Sequence, residues 1–233
     1  MSKDKYKYYT YELDMNVLNI LAIILFVVMM GIISLIGDSF SNITNYSLIG
    51  LFLLMFGWLM FHEVLHGIGF FIFKEVKKRN IVFGIALEKG VFYCMCKQKI
   101  SKKVIFTSLL FPVTIIGIVT LILGIILNNY LLVYLSVFNI VGSIGDIVMT
   151  IYFCKCPNDV IYLDLDDCTS FTVLCSRELS KIKVPGIKLV KSGDYDKGMV
   201  AKDKRRIVVS KKSWYVLIIV FILILIKVLG GVL

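Results

Sequence analysis

The chain has 233 residues, a formal net charge of +10, 58 % hydrophobic residues and a mean hydropathy of +0.87. Soluble domains are about half apolar, so this composition excludes an ordinary globular domain and reads as a polytopic membrane protein. The charge is not spread as a nucleic-acid footprint: of 26 Lys and Arg residues, nine lie between Lys74 and Lys103 and thirteen between Lys155 and Lys212, the pattern of loops held at an anionic inner leaflet.

In chain order, residues 1–15 are charged and tyrosine-rich and read as an amphipathic or loose arm on the inner surface. Apolar runs long enough to cross a bilayer follow at roughly 16–36, 47–73, 104–127, 130–153 and 214–232. The first is too long for a secretory h-region and lacks a small-residue cleavage site, so it reads as a retained helix. With basic residues clustered on one side, the amino terminus is expected in the cytoplasm and the carboxyl terminus outside.

The second run contains HEVLH, His62 to His66, and these are the only two histidines in the chain. A spacing of four puts both imidazoles on one helix face with Glu63 beside them, the arrangement of two zinc ligands and a general base. A histidine pair making ordinary interhelical hydrogen bonds is the plainer alternative. Gly67 and Gly69 follow on the next turn and allow close approach of another chain segment. The stretch IVFGIALEKGVFYCMC then reads as two short strands around Glu88-Lys89-Gly90, a hairpin that re-enters the membrane where a polar cavity satisfies its backbone, the alternative being a cytosolic hairpin with no part in catalysis.

Pro112 should kink or break the third run. In the fourth, Asp146 is, with Glu63, the only carboxylate deep in an apolar run, and an ionisable residue there is a functional candidate by default. His62 and Asp146 each lie about 15 residues past the outer ends of their runs, hence at similar depth, and Asp146 can supply the third zinc ligand. Asn139, seven residues earlier, is expected on the same helix face, where it could hold substrate or steady an oxyanion. The pairs Cys94/Cys96 and Cys154/Cys156 offer four thiolates to a second, structural metal, although buried thiols are the ordinary reading. From Pro157 to Lys212 the short β-branched pieces VIYLDLDD, SFTVLCS, IKLV and RRIVVS read as a small β-rich cytosolic module.

HEVLHG, YCMCKQKISKKVIFTSLLFP and NIVGSIGD together resemble the "putative zincin peptidase" family of bacterial membrane proteins, which is similar to the site-2 proteases that cut within the membrane. The resemblance runs from about residue 55 to about residue 175. It implies zinc held by His62, His66 and Asp146, with Glu63 as the catalytic base. In site-2 proteases a proline follows the asparagine by three residues and an aspartate-glycine pair by eight. Gly142 stands in the first position here and Asp146 comes seven on, a departure that bears on Asn139 more than on Asp146.

The expectation is thus an all-α membrane protein of about five transmembrane helices, with a short β-hairpin after the second and a small β-rich cytosolic segment. Residues 1–153 form a zinc metallopeptidase-like core, 154–213 the cytosolic segment and 214–233 a last transmembrane helix. The expected reaction is zinc-dependent hydrolysis of peptide bonds in membrane-embedded or membrane-proximal substrates, with the bilayer and a membrane protein or peptide as partners and no nucleic acid. A catalytically silent metal-binding scaffold, immunity or transport partner is the alternative, and a proton or cation pathway a third.

Overall fold

The computed structural model describes residues 6–36, 48–86, 91–164, 169–194, 207, 208 and 219. Its helices are α1 (Met15–Ile36), α2 (Leu48–Phe71), α3 (Lys102–Pro112), α4 (Thr120–Ile126), α5 (Tyr130–Gly142) and α6 (Ile144–Lys155). Its strands are β1 (Lys7–Leu13), β2 (Ile81–Ala86), β3 (Val91–Cys96), β4 (Ile100–Ser101), β5 (Ile161–Asp164), β6 (Ser170–Cys175), β7 (Ile187–Asp194) and β8 (Ile207–Val208). The protein is therefore mixed, not all-α as expected. Helices carry one five-stranded antiparallel sheet, ordered β4-β5-β6-β1-β7, and a smaller sheet ordered β3-β2-β8.

The expectation failed because local periodicity carries no information on distant pairing. Residues 7–13 were read as a loose arm, but β1 lies between β6 and β7, with Thr10 opposite Thr172 and a 3.0 Å hydrogen bond between their hydroxyls. Inward-facing Tyr9 and Tyr11 anchor it, Tyr11 stacking on Phe171 and tilting against Tyr152 of α6. These aromatic rings, with Phe153, Tyr162 and Val173, form a core between sheet and helices. The sheet thus draws strands from both sides of residue 153.

Three helices among the described residues are long and apolar enough to cross a membrane: Met15–Leu35, Gly50–Phe71 and the continuous rod Lys102–Ile126. The pair α5 and α6 counts as a fourth if its 53° bend lies within one span. The expected fifth span, 214–232, falls outside the described residues apart from Ile219. Ile20, Ile23, Val27, Phe52, Ile122 and Ile126 are exposed, a continuous apolar surface that water would not tolerate and lipid would cover. A second core, Leu54, Trp58, Leu65, Ile116, Leu131 and Leu135, binds α2 to the helices after it.

Two local devices set the helix geometry. Asp14 caps α1, its Oδ1 accepting from the amides of Asn16 and Val17, while Lys188 of β7 approaches its other oxygen at 2.6 Å. This ties the sheet to the start of the first apolar helix and, with the cap, holds the Asp14 carboxyl below the usual carboxylate range. After Pro112 the helix does not stop: α3 passes into a π-helical stretch, Val113–Val119, and then into α4, so the expected break is a change of helix type within one rod.

Candidate metal centre

His62, Glu63 and His66 occupy the second half of α2. Close approach of the neighbours depends on the glycines that follow. A Cβ on Gly69 would lie 2.7 Å from Ser108 Cα, so only glycine lets α3 pack this tightly. A Cβ on Gly67 would overlap the Phe83 ring, which seats the hairpin against α2. On the same side Phe56 of α2 meets Phe92 of β3 edge-on at 5.1 Å.

Each imidazole is oriented through its Nδ1. His66 Nδ1 donates to the Ser108 carbonyl at 2.8 Å, and Ser108 Oγ donates back to the His66 carbonyl at 3.0 Å. Ser108 is four residues before Pro112, whose missing N–H would otherwise bond that carbonyl. The missing donor thus frees an acceptor at the site. His62 Nδ1 donates to Asn139 Oδ1 at 2.9 Å, and Asn139 Nδ2 donates to the Pro112 carbonyl at 3.3 Å, which settles which end of the amide faces the histidine.

With both Nδ1 atoms protonated, both Nε2 atoms present lone pairs. They lie 3.0 Å apart, and Asp146 Oδ2 completes a triangle at 3.1 Å from His62 Nε2 and 3.5 Å from His66 Nε2. Two lone pairs and a carboxylate oxygen converging without a proton between them repel one another unless a cation sits among them. Ligands about 2.0–2.2 Å from a tetrahedral zinc are separated by roughly 3.3 Å, so the triangle fits that ion. Glu63 also lies within 4.8 Å of both ring nitrogens. Its carboxylate is bonded by the backbone of Cys94 on β3.

Asp146 reaches the site by a route the sequence did not anticipate. Residues 130–153 are not one helix: the Gly142–Ser143 pair ends α5, Ser143 bonding back to the Asn139 carbonyl, and α6 departs at 53°. Asn139 and Asp146 therefore do not share a helix face, yet the bend brings both to the histidines. Asn139 is 4 % exposed, with both ends of its amide engaged. It also lines a cavity of about 200 Å³ beside His62 and Glu63.

The cysteines do not assemble. Cys94 is half-buried, Cys96 and Cys156 are buried and Cys154 is exposed. Among the described residues, the donors found together are His62, Glu63 and His66, with Asp146 against the two histidines, and no cysteine joins them. Sequence reasoning missed two contributors, the Ser108 carbonyl and the Cys94 amide. Pro112 four residues beyond Ser108 was the available signal for the first. Nothing in the sequence marked the second.

Residues 55–161 are similar to the family described as "putative zincin peptidase". The match contains the hairpin, HEVLH, Asn139 and Asp146, and spans somewhat less than half of the chain. No curated protein and no solved structure matches.

Proposed function

We propose that the protein is a multi-pass membrane metallopeptidase that hydrolyses peptide bonds of membrane-embedded or membrane-proximal proteins. The observation that carries this reading is the triangle of His62 Nε2, His66 Nε2 and Asp146 Oδ2, 3.0–3.5 Å on a side, with Glu63 alongside and apolar helices around it. Similarity to a zincin family supports the same chemistry.

Zinc held by these three groups would supply Lewis acidity and a water acidified to a pKa of about 7. Glu63 accepts the proton of the attacking water and passes it to the leaving amine. The Cys94 amide fixes the Glu63 carboxylate for that transfer, and Ser108 and Asn139 fix the two imidazoles. Asn139 also touches substrate from the wall of its cavity. A second cavity, lined by Glu63, His66, Asp146, Tyr162 and Asp164, opens toward the five-stranded sheet. β3 is an edge strand whose Cys96 amide is bonded to Asp164 and whose Cys94 amide holds Glu63, so its remaining edge, at Phe92, is where an extended substrate is received by strand addition.

The sheet and basic segments face the cytoplasm, with the amino terminus on that side and the carboxyl terminus outside. The test compares membrane-peptide fragments in cells expressing wild type and Glu63→Gln. Fragments that vanish in the variant support the reading. Zinc-loaded wild type with an unchanged fragment pattern would leave a silent metal-binding scaffold as the better description.

A further inference from the structure

Four helical glycines, Gly67, Gly69, Gly117 and Gly124, are explained by contact: a Cβ on Gly117 or Gly124, for example, would lie 2.9 Å from a neighbouring helix. Gly142, which with Ser143 ends α5 at the bend, and Gly145 just beyond it have no such contact. A Cβ on either meets no atom within 4 Å, and neither has the positive φ found at Gly186. Gly142 lines the cavity of about 200 Å³ whose other walls include Leu59, Phe92 and Phe138. Gly145 lines the second cavity, about 180 Å³, with Tyr162 and Asp164. Glu63 and Phe92 belong to both, so the two spaces meet at the base and the β3 edge.

We propose that the two cavities are the subsites for the side chains on either side of the scissile bond, and that Gly142 and Gly145 set their size. This deepens the peptidase reading and rests on it. In an extended peptide, successive side chains leave on opposite faces. A peptide bond held at Glu63 therefore sends one side chain into each cavity. The Gly142 cavity has apolar walls, and because roughly 150 Å³ holds a benzene ring, it admits a leucine- or phenylalanine-sized group. The Gly145 cavity is mixed, with Phe70, Met95, Ile105 and Met149 standing beside Tyr162 and Asp164, and takes the side chain on the other side of the bond. The substrate class is a membrane peptide with a bulky apolar residue at the cleaved bond, seated in the Gly142 cavity.

The experiment uses purified full-length protein and two quenched fluorescent peptides that differ only in Leu or Ala at the position entering the Gly142 cavity. Wild type cleaves the Leu peptide faster. Gly142→Val lowers kcat/KM for the Leu peptide by about 10- to 100-fold and spares the Ala peptide, so that the preference reverses while zinc content is unchanged. Gly142→Ala, whose added methyl meets nothing, produces a smaller shift in the same direction and a melting temperature no lower than wild type. A Gly142→Val enzyme that loses both peptides equally, or keeps the wild-type preference, overturns the subsite assignment alone. Wild type that holds zinc and cleaves neither peptide removes the peptidase reading and the subsites with it.

Discussion

Asn139→Ala offers the sharpest separation of positioning from packing. The side chain makes two hydrogen bonds, 2.9 Å from His62 Nδ1 and 3.3 Å to the Pro112 carbonyl, and it is buried. Truncation leaves a donor and an acceptor without partners in an apolar interior, at about 1–3 kcal/mol each. The His62 ring also loses the acceptor that fixes its tautomer. Removing such a partner typically lowers metal affinity about 10- to 100-fold, or about 1.4–2.7 kcal/mol. Asn139→Asp keeps the acceptor toward His62 and gives up the donor toward Pro112. It should therefore lose stability while keeping zinc affinity within a few-fold of wild type. Competition against a calibrated chelator in detergent measures affinity, and thermal unfolding of the same samples measures stability. If Asn139→Ala binds zinc as tightly as wild type, or if both variants lose affinity equally, the assigned link from Asn139 to His62 is wrong.

Further expectations concern chemistry, coordination, the hairpin and pH. Glu63→Gln should retain about one zinc per chain while hydrolysis falls about 100-fold or more, the scale of a lost general base. His62→Ala, His66→Ala and Asp146→Ala should each lose most of the metal by elemental analysis, because two protein ligands are too few. Proline at Phe92, on the β3 edge, should impair cleavage more than zinc content; equal activity would count against strand addition. Asp14 titrates below its ordinary value because of Lys188 and the α1 cap, so its contribution to stability is present above about pH 4 and is lost as pH falls further. The melting-temperature gap between wild type and Asp14→Asn should stay constant through neutral pH and close in acid.

The candidate site was legible because long apolar helices rarely contain histidines or carboxylates, so HEVLH and Asp146 stood out against an apolar background. Their convergence could be argued from depth alone. The orientation of the ligands could not, since it depends on a carbonyl freed by Pro112 and on a bend at Ser143 that breaks the seven-residue relation assumed between Asn139 and Asp146. The hairpin at 81–96 was readable because its two strands are adjacent in sequence. The five-stranded sheet was not. Its first strand, KYYTYEL, has no pattern that names residues 170–175 and 187–194 as partners. The β-rich character of the later segment was visible, but not that it needed the first residues of the chain to complete a core.

That pairing has a consequence for biogenesis. Thr10 and Thr172 are 162 residues apart, with all the described helices between them. At roughly 5–20 residues per second of synthesis, β1 leaves the ribosome on the order of ten seconds or more before β6 exists. During that interval the tyrosine-bearing strand has neither neighbour, while α1 to α6 are still being made. In the proposed multi-pass topology, closing the sheet would be a late proofreading step: a chain with a helix inserted in the wrong direction would place β1 and β6 on opposite faces of the membrane, where they could never join.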